Sequence, residues 1–340
     1  MMRCRYCFSN MENAVNCPYC GNSQADIDFG MALSSGTILN GQYQIGRVLG
    51  QGGFGITYLA LDINLNQRVA IKEYMPVDIA ERSRDGLSLS IYQSTSRNSF
   101  EFGLEQFLNE AKMLAKFINH PNIVGVSNFF RENGTAYFVM DYIEGKSIKQ
   151  ILQNQGVIDW TSAISMILPV TTALEAVHAQ GLLHRDIAPD NIFITLDGET
   201  KLLDFGAARY AIGENSKSLS VILKAGYAPE EQYRSRGNQG PWTDIYALGA
   251  TLYRMVTGKL PLESIDRVFK DTLLMPGELG IAVPDSIDNI LKKAMAVRAA
   301  ERYQTVREFR VDLMRALNGA ATVSQPAMQK QVKEKVAQSG

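Results

Sequence analysis

Leu182-Leu183-His184-Arg185-Asp186-Ile187-Ala188-Pro189-Asp190-Asn191-Ile192-Phe193-Ile194 sets an acid and an amide, Asp186 and Asn191, between two apolar runs. The pattern fits a tight polar loop on a hydrophobic base. Such a loop can aim a proton acceptor at a hydroxyl and an amide oxygen at a metal. Pro189 fixes φ inside the loop and limits how far the two groups splay. Downstream, Leu202-Leu203-Asp204-Phe205-Gly206 ends an apolar strand with a second acid.

Upstream, residues 43–49 alternate like a strand, Gly50-Gln51-Gly52-Gly53-Phe54-Gly55 follows, and residues 56–61 resume the strand pattern. A glycine run of this spacing that opens a helix marks a dinucleotide site. Here a β-branched and aromatic run follows, which predicts strand–loop–strand. Val69-Ala70-Ile71-Lys72 ends the next strand on a charge that needs an anionic partner. Phe107, Glu110, Leu114 and Phe117 share one helical stripe. A carboxylate in an apolar stripe needs a cation, and Lys72 is the natural one. The segment between Lys72 and Glu110 is longer than a strand-to-helix connection requires, and residues 87–92 alternate like an extra strand. Residues 120–124 and 135–140 read as two further strands. From about Ser147 the pattern turns helical, with Asp159 as N-cap of a helix over 160–178 that Pro169 should bend. An apolar helix follows over 242–255, and helices near 286–296 and 305–317 finish the pattern.

His184-Arg185-Asp186 with Asn191, then Asp204-Phe205-Gly206, resemble the catalytic loop and metal-binding motif of the protein kinases. Within that family the run His-Arg-Asp-Ile-Ala-Pro-Asp-Asn is similar to a bacterial-type serine/threonine subgroup. The resemblance implies a two-lobed α+β kinase fold. A five-stranded antiparallel small lobe would span about 43–141, a mostly helical large lobe about 142–317, and a flexible tail 318–340. It implies phosphorylation of Ser or Thr hydroxyls on protein substrates, with ATP and Mg²⁺ (or Mn²⁺). Asp186 would orient the hydroxyl and accept its proton, and Asn191 and Asp204 would hold Mg²⁺. Lys72 with Glu110 would position the phosphates, and Gly50, Gly52 and Gly55 would cover them. Met140, Asp141 and Tyr142 match the family's adenine-binding hinge. His184 resembles a packing residue beneath Phe205, and Asp244 would hold the backbone of the catalytic loop. Matching Tyr227 to the family pattern makes Glu231 the ion-pair partner of Arg302.

Two departures matter. Most serine/threonine kinases carry Lys two residues after the catalytic Asp, and this chain has Ala188. Lys224 falls where the family usually has a Thr touching that Lys, and is expected to deliver the missing charge. Arg185, by the same resemblance, implies activation through a phosphate on the following segment. Ser220 is the first-choice acceptor, with Ser216 and Ser218 behind it. The competing reading is a pseudokinase, a nucleotide-gated scaffold that recruits partners through its N-terminal module. Ala188 supports it; retention of Asp186, Asn191, Asp204 and Lys72 opposes it.

All four cysteines fall in the first twenty residues, as Cys4-x-x-Cys7 and Cys17-x-x-Cys20. Two such pairs read as a closed structural Zn²⁺ site; a redox motif would need a βαβ context that is absent. Residues 1–22 resemble a zinc ribbon, open to a protein partner, and 23–42, rich in Gly, Ser, Asn and Gln, read as a linker. Chelation should then unfold 1–22 and spare the rest. Lys plus Arg number 34 against 35 Asp plus Glu, so nothing in the net charge of −1 asks for nucleic acid. No unbroken apolar run reaches about 18 residues, and the polar start has no signal-peptide core. The expected location is cytoplasmic, with an anchor beyond Gly340 left open.

Overall fold

The computed structural model describes residues 2–11, 15–23, 30–204, 223–234 and 237–319. Phe205, Gly206, Ser216, Ser218, Ser220 and the tail from 320 lie outside the described residues. Those described fall into two compact units, one ending at Glu144 and the other beginning at Gly145.

The first unit opens with a small hairpin, β1 (Met2–Arg3) paired with β2 (Asn10–Met11). Its main sheet has six antiparallel strands in the order β3-β4-β5-β6-β10-β9. These are β3 (Ile38–Leu39), β4 (Tyr43–Gly52), β5 (Gly55–Asp62) and β6 (Gln67–Tyr74), with β9 (Val126–Glu132) and β10 (Thr135–Asp141). The helix α1 (Arg97–Ala115) packs against β9 and β10, and Phe107 stacks on Phe138 with ring centroids 4.7 Å apart. Between β6 and α1 a separate hairpin, β7 (Ala80–Arg82) with β8 (Leu89–Ile91), carries out the extra-strand expectation.

Three expectations need correction. The small lobe has six strands in its main sheet, because the supposed linker supplies β3. Asn40 and Gly41, at φ 50° and 61°, turn β3 back onto β4. Leu33 and Leu39 are buried in one cluster with Ile45, Tyr58, Ile71 and Tyr137, with Met31 packed against it. The segment thus covers apolar sheet surface that water would otherwise meet. The strand expected at 120–124 begins later, at Val126. His120 folds the preceding residues into a turn, its Nδ1 accepting from the Asn122 N–H at 3.1 Å.

The N-terminal hairpin is not a separate module either. Cys4, Tyr6, Cys7, Phe8, Met11 and Cys17 form one buried cluster with Leu59 and Leu61 of β5, and Tyr142 packs on it. The Arg47 N–H donates to the Tyr6 carbonyl at 2.9 Å. A Cβ at Gly46 would stand 2.5 Å from that carbonyl oxygen and 2.7 Å from the Phe8 ring. Gly46 is therefore what lets the hairpin lie against β4.

The second unit begins with β11 (Gly145–Ser147), paired with β12 (Ile192–Thr195), which pairs with β13 (Thr200–Leu202). The helix α2 (Ile148–Gln155) starts in a capping box: Ser147 Oγ accepts from the Gln150 N–H and Gln150 Oε1 from the Ser147 N–H. The helix α3 (Trp160–Ala179) starts at Asp159 as expected and continues through Pro169. Its length and hydropathy would suit a membrane span. Yet Ile164, Ile167, Val170, Leu174 and Val177 are buried, and it packs on β13 and on α4 (Pro241–Thr257). Gly258, at φ 68°, ends α4. There follow α5 (Ser264–Arg267), α6 (Asp285–Ala294) and a last helix, α7, over 306–319.

Candidate active site

In the first unit the glycine-rich run is the tip of the β4–β5 hairpin, with Gly52 opposite Gly55. The carbonyls of Gly53 and Phe54 accept from the N–H groups of Val77 and Met75, which ties the tip to the chain after β6. A Cβ at Gly50 or Gly52 would meet nothing within 4 Å, whereas one at Gly55 would lie 2.3 Å from the Glu73 carbonyl oxygen. Gly55 is thus explained by the close approach of β6. Gly50 and Gly52 leave bare backbone able to approach a ligand.

Lys72 and Glu110 meet as the sequence predicted. Lys72 Nζ lies 3.8 Å from Glu110 Oε1, with Glu110 buried and Lys72 partly exposed. The ammonium also sits 5.5 Å above the Phe138 ring. Met140 is buried on β10 opposite Ala70, and Asp141 ends the strand exposed. Tyr142 packs toward the cysteine cluster.

The second unit holds the loop. Asp244, buried in the first turn of α4, accepts from the backbone N–H groups of His184 (2.9 Å) and Arg185 (2.7 Å) and lies 2.8 Å from His178 Nε2. These partners hold its carboxyl below the usual range although burial alone would raise it. His184 is fully buried: Nε2 lies 2.9 Å from the Leu203 carbonyl, and Nδ1 accepts from the Asp186 N–H at 3.3 Å. Burial pushes its pKa down, so the ring is a neutral spacer and no general base. Arg185 and Asp204 take positive φ, 66° and 49°, a rare conformation for residues with side chains.

Within this frame Asn191 Nδ2 donates to the Asp186 carbonyl at 2.7 Å and to Asp186 Oδ2 at 2.8 Å. Ala188 is fully buried. Lys224 Nζ lies 3.3 Å from Asp186 Oδ2 and 2.8 Å from Asp190 Oδ1, so the cation does reach the loop. Glu231 and Arg302 form a buried pair at 2.7 and 3.1 Å. Sequence reasoning passed over Asp190, although it stands in the quoted loop, and Gln232, whose Nε2 donates to the Arg185 carbonyl at 2.9 Å.

The four cysteines converge. Their Sγ atoms all lie within 4.8 Å of one another, with Cys4 and Cys20 at 3.7 Å and Cys7 and Cys17 at 3.6 Å. Each Cys-x-x-Cys forms the same knuckle. The Phe8 N–H donates to the Cys4 carbonyl and the Gly21 N–H to that of Cys17, both at 2.9 Å. Phe8 and Gly21 close the knuckles at φ 62° and 75°.

The family description "Protein kinase domain" matches residues 43–305. PrkC of Bacillus subtilis, a serine/threonine-protein kinase, is 32% identical over 83% of this chain and 42% of its own length. PknB of Mycobacterium tuberculosis is 32% identical over 83% of this chain and 44% of its own. The chain thus spans less than half the length of these curated relatives. The solved structure "PpkA-294 apo form" superposes with a TM-score of 0.77 at 38% identity, covering 83% of this chain and 99% of that one. With the match to the family running through most of its length, this chain belongs to the protein kinases.

Proposed function

We propose that the chain is a serine/threonine protein kinase that transfers the γ-phosphoryl group of ATP to protein hydroxyls. The observation that carries this reading is the Asp186–Asn191–Lys224 constellation. Asp186 is held by the Asn191 amide and faces a cation, so its carboxylate is oriented to take a hydroxyl proton. The donor set suits Mg²⁺: the Asn191 nitrogen is committed to Asp186, which leaves its amide oxygen, with the Asp204 carboxylate, for a hard cation. When bound, the metal would neutralise phosphate charge. Glu110 holds the Lys72 ammonium ready for phosphate oxygens, and bare backbone at Gly50 and Gly52 covers them. Met140, Asp141 and Tyr142 would meet the adenine. Lys224 supplies the charge absent at Ala188. Arg185 would receive a phosphate on Ser220, Ser216 or Ser218.

We further infer that Cys4, Cys7, Cys17 and Cys20 hold a structural Zn²⁺. A tetrahedron with Zn–S bonds of about 2.3 Å has edges of about 3.8 Å, close to the two short sulfur separations. Without a cation, burial and then the neighbouring thiols push the Cys20 thiol up to about 12. A bound dication reverses that penalty. A protein partner of the ribbon would meet its exposed Val15 and Tyr19.

The test uses one preparation of the purified chain. With labelled ATP and Mg²⁺ it should autophosphorylate, and Asp186→Asn should lower the rate at least about a hundredfold. Lys224→Met should cost a comparable factor. A Lys224→Met rate near wild type would sink the substituted cation. Elemental analysis should find one Zn per chain.

A further inference from the structure

We propose that a pocket beside the catalytic loop selects substrates carrying an acidic residue close to the acceptor hydroxyl. The inference rests on the kinase reading and names the class of sequence that such an enzyme would choose.

The pocket lies wholly in the second unit and has a volume of about 390 Å³. Its walls include Lys149 of α2, Asp190 of the catalytic loop, Lys224, Tyr227, and Arg254 of α4, with Leu260 below. Three cations therefore face one carboxylate. That carboxylate is already taken, since Lys224 Nζ sits 2.8 Å from Asp190 Oδ1. A substrate Lys or Arg entering here would have to displace Lys224 and would then meet Lys149 and Arg254.

A substrate carboxylate meets the opposite situation. Arg254 is half-buried, and its Nη1 donates to the Gly258 carbonyl at the end of α4, which fixes the guanidinium. Among the described residues it has no carboxylate partner, and neither has Lys149. A guanidinium has five N–H donors, so most of the fork stays open to an incoming anion. Tyr227 is close enough to feel both charges: burial raises its hydroxyl to about 12, Arg254 works against the rise and Asp190 adds to it. Arg254, Tyr227 and Asp190 therefore share one space.

Position follows from Lys224. It spans from Asp186, where the acceptor hydroxyl must sit, to Asp190 on the pocket wall. The pocket thus opens about one side chain away from the acceptor, which an extended peptide covers in about two or three residues.

The experiment uses the full chain and peptides with a single Ser acceptor in a neutral background. Gln, Glu or Lys is placed in turn at each of the nearest positions on either side. At one or two neighbouring positions Glu should lower KM about tenfold relative to Gln, and Lys should raise it. Lys149→Glu, at an exposed site, and Arg254→Glu should each shift the preference toward Lys. Best turnover of the Lys peptides, a flat response at every position, or a Glu preference surviving both substitutions would overturn the proposal. Binding of the same labelled peptides to the Asp186→Asn chain is measured alongside, without turnover. There the Glu peptide should bind several-fold more tightly, and equal or reversed affinities would overturn the proposal. If phosphotransfer is absent but the Glu peptide still binds preferentially, the kinase reading fails and the pocket stands.

Discussion

Lys72 and Glu73 are neighbours on β6, and the pleat sends them to opposite faces of the sheet. Each is half of an ion pair. On one face Lys72, partly exposed, stands 3.8 Å from the buried Glu110. On the other, Glu73 is fully buried and accepts from Arg82 Nη1 at 2.8 Å, Arg82 Nη2 at 2.6 Å, the Tyr58 hydroxyl at 2.7 Å and the Tyr137 hydroxyl at 2.9 Å. Burial works against the Arg82 guanidinium, yet the hydrogen bonds and charge of Glu73 hold its proton more firmly than usual. Arg82 also donates to the carbonyls of Met31 and Leu87, stapling the β7–β8 hairpin and the segment before β3 onto the sheet. The tight, saturated pair is scaffold. The pair with the partly exposed lysine is the one assigned to phosphate in the proposed function.

If that division is right, damage to the two pairs should register in different measurements. On the proposed reading Lys72→Met removes a charge that phosphate oxygens need, and phosphotransfer should fall at least about a hundredfold. Its melting temperature should fall by less than that of Arg82→Met. The variant takes a cation from the buried Glu110, but Lys72 is partly exposed and the contact is 3.8 Å long, whereas the Arg82 side chain is buried and hydrogen-bonded to Glu73. A large loss of stability would make Lys72 part of the scaffold after all.

Arg82→Met should do the reverse. It strands a buried carboxylate with only two tyrosine hydroxyls, at a cost of about 3–5 kcal/mol. Thermal unfolding should come roughly ten degrees earlier. The molecules still folded at low temperature should keep most of their turnover. Adding Glu73→Gln removes the stranded charge, and the double variant should recover part of the loss. An Arg82→Met chain that keeps its stability but loses turnover would erase the distinction between the pairs.

The two pairs also differ in how far the sequence revealed them. Lys72 ends an apolar strand and Glu110 interrupts an apolar stripe, so each is conspicuous within its own element. Arg82 is not, because its three-residue strand has no periodicity to read and its partner is set by how the hairpin closes over the sheet. The catalytic loop was legible for the same reason as Lys72. Its acid and amide are fixed by a local turn, and Asp244 merely holds that turn from a distance. Two signals were present and went unread. Asn40-Gly41 is a hairpin dipeptide inside what looked like a linker. Gly46, a glycine within a strand, marks a close backbone approach, and the approach is that of the cysteine hairpin. The docking of that hairpin could not follow from the spacing of its cysteines, which brings four thiols together but says nothing of the surface beneath them.

Asp159 offers a third carboxylate, exposed and without an ionic partner among the described residues, against which both pairs can be ranked. It caps α3, accepting from the N–H groups of Thr161 at 3.1 Å and Ser162 at 3.0 Å. The hydrogen bonds from Ser162, and then from Thr161, hold its pKa down at about 2. A depressed folded-state pKa means that the cap's electrostatic contribution is complete above about pH 4 and fades as the pH falls toward 2. Asp159→Ala should therefore cost about 1 kcal/mol in urea unfolding near neutrality. The gap to wild type should narrow as the pH drops through that window, by the same amount for Asp159→Ala and Asp159→Asn because neither variant titrates at that position. The Asn gap should be smaller throughout, since its amide oxygen still caps the helix. A neutral-pH loss as large as that of Arg82→Met would mean that burial and saturation do not set the order of the charges.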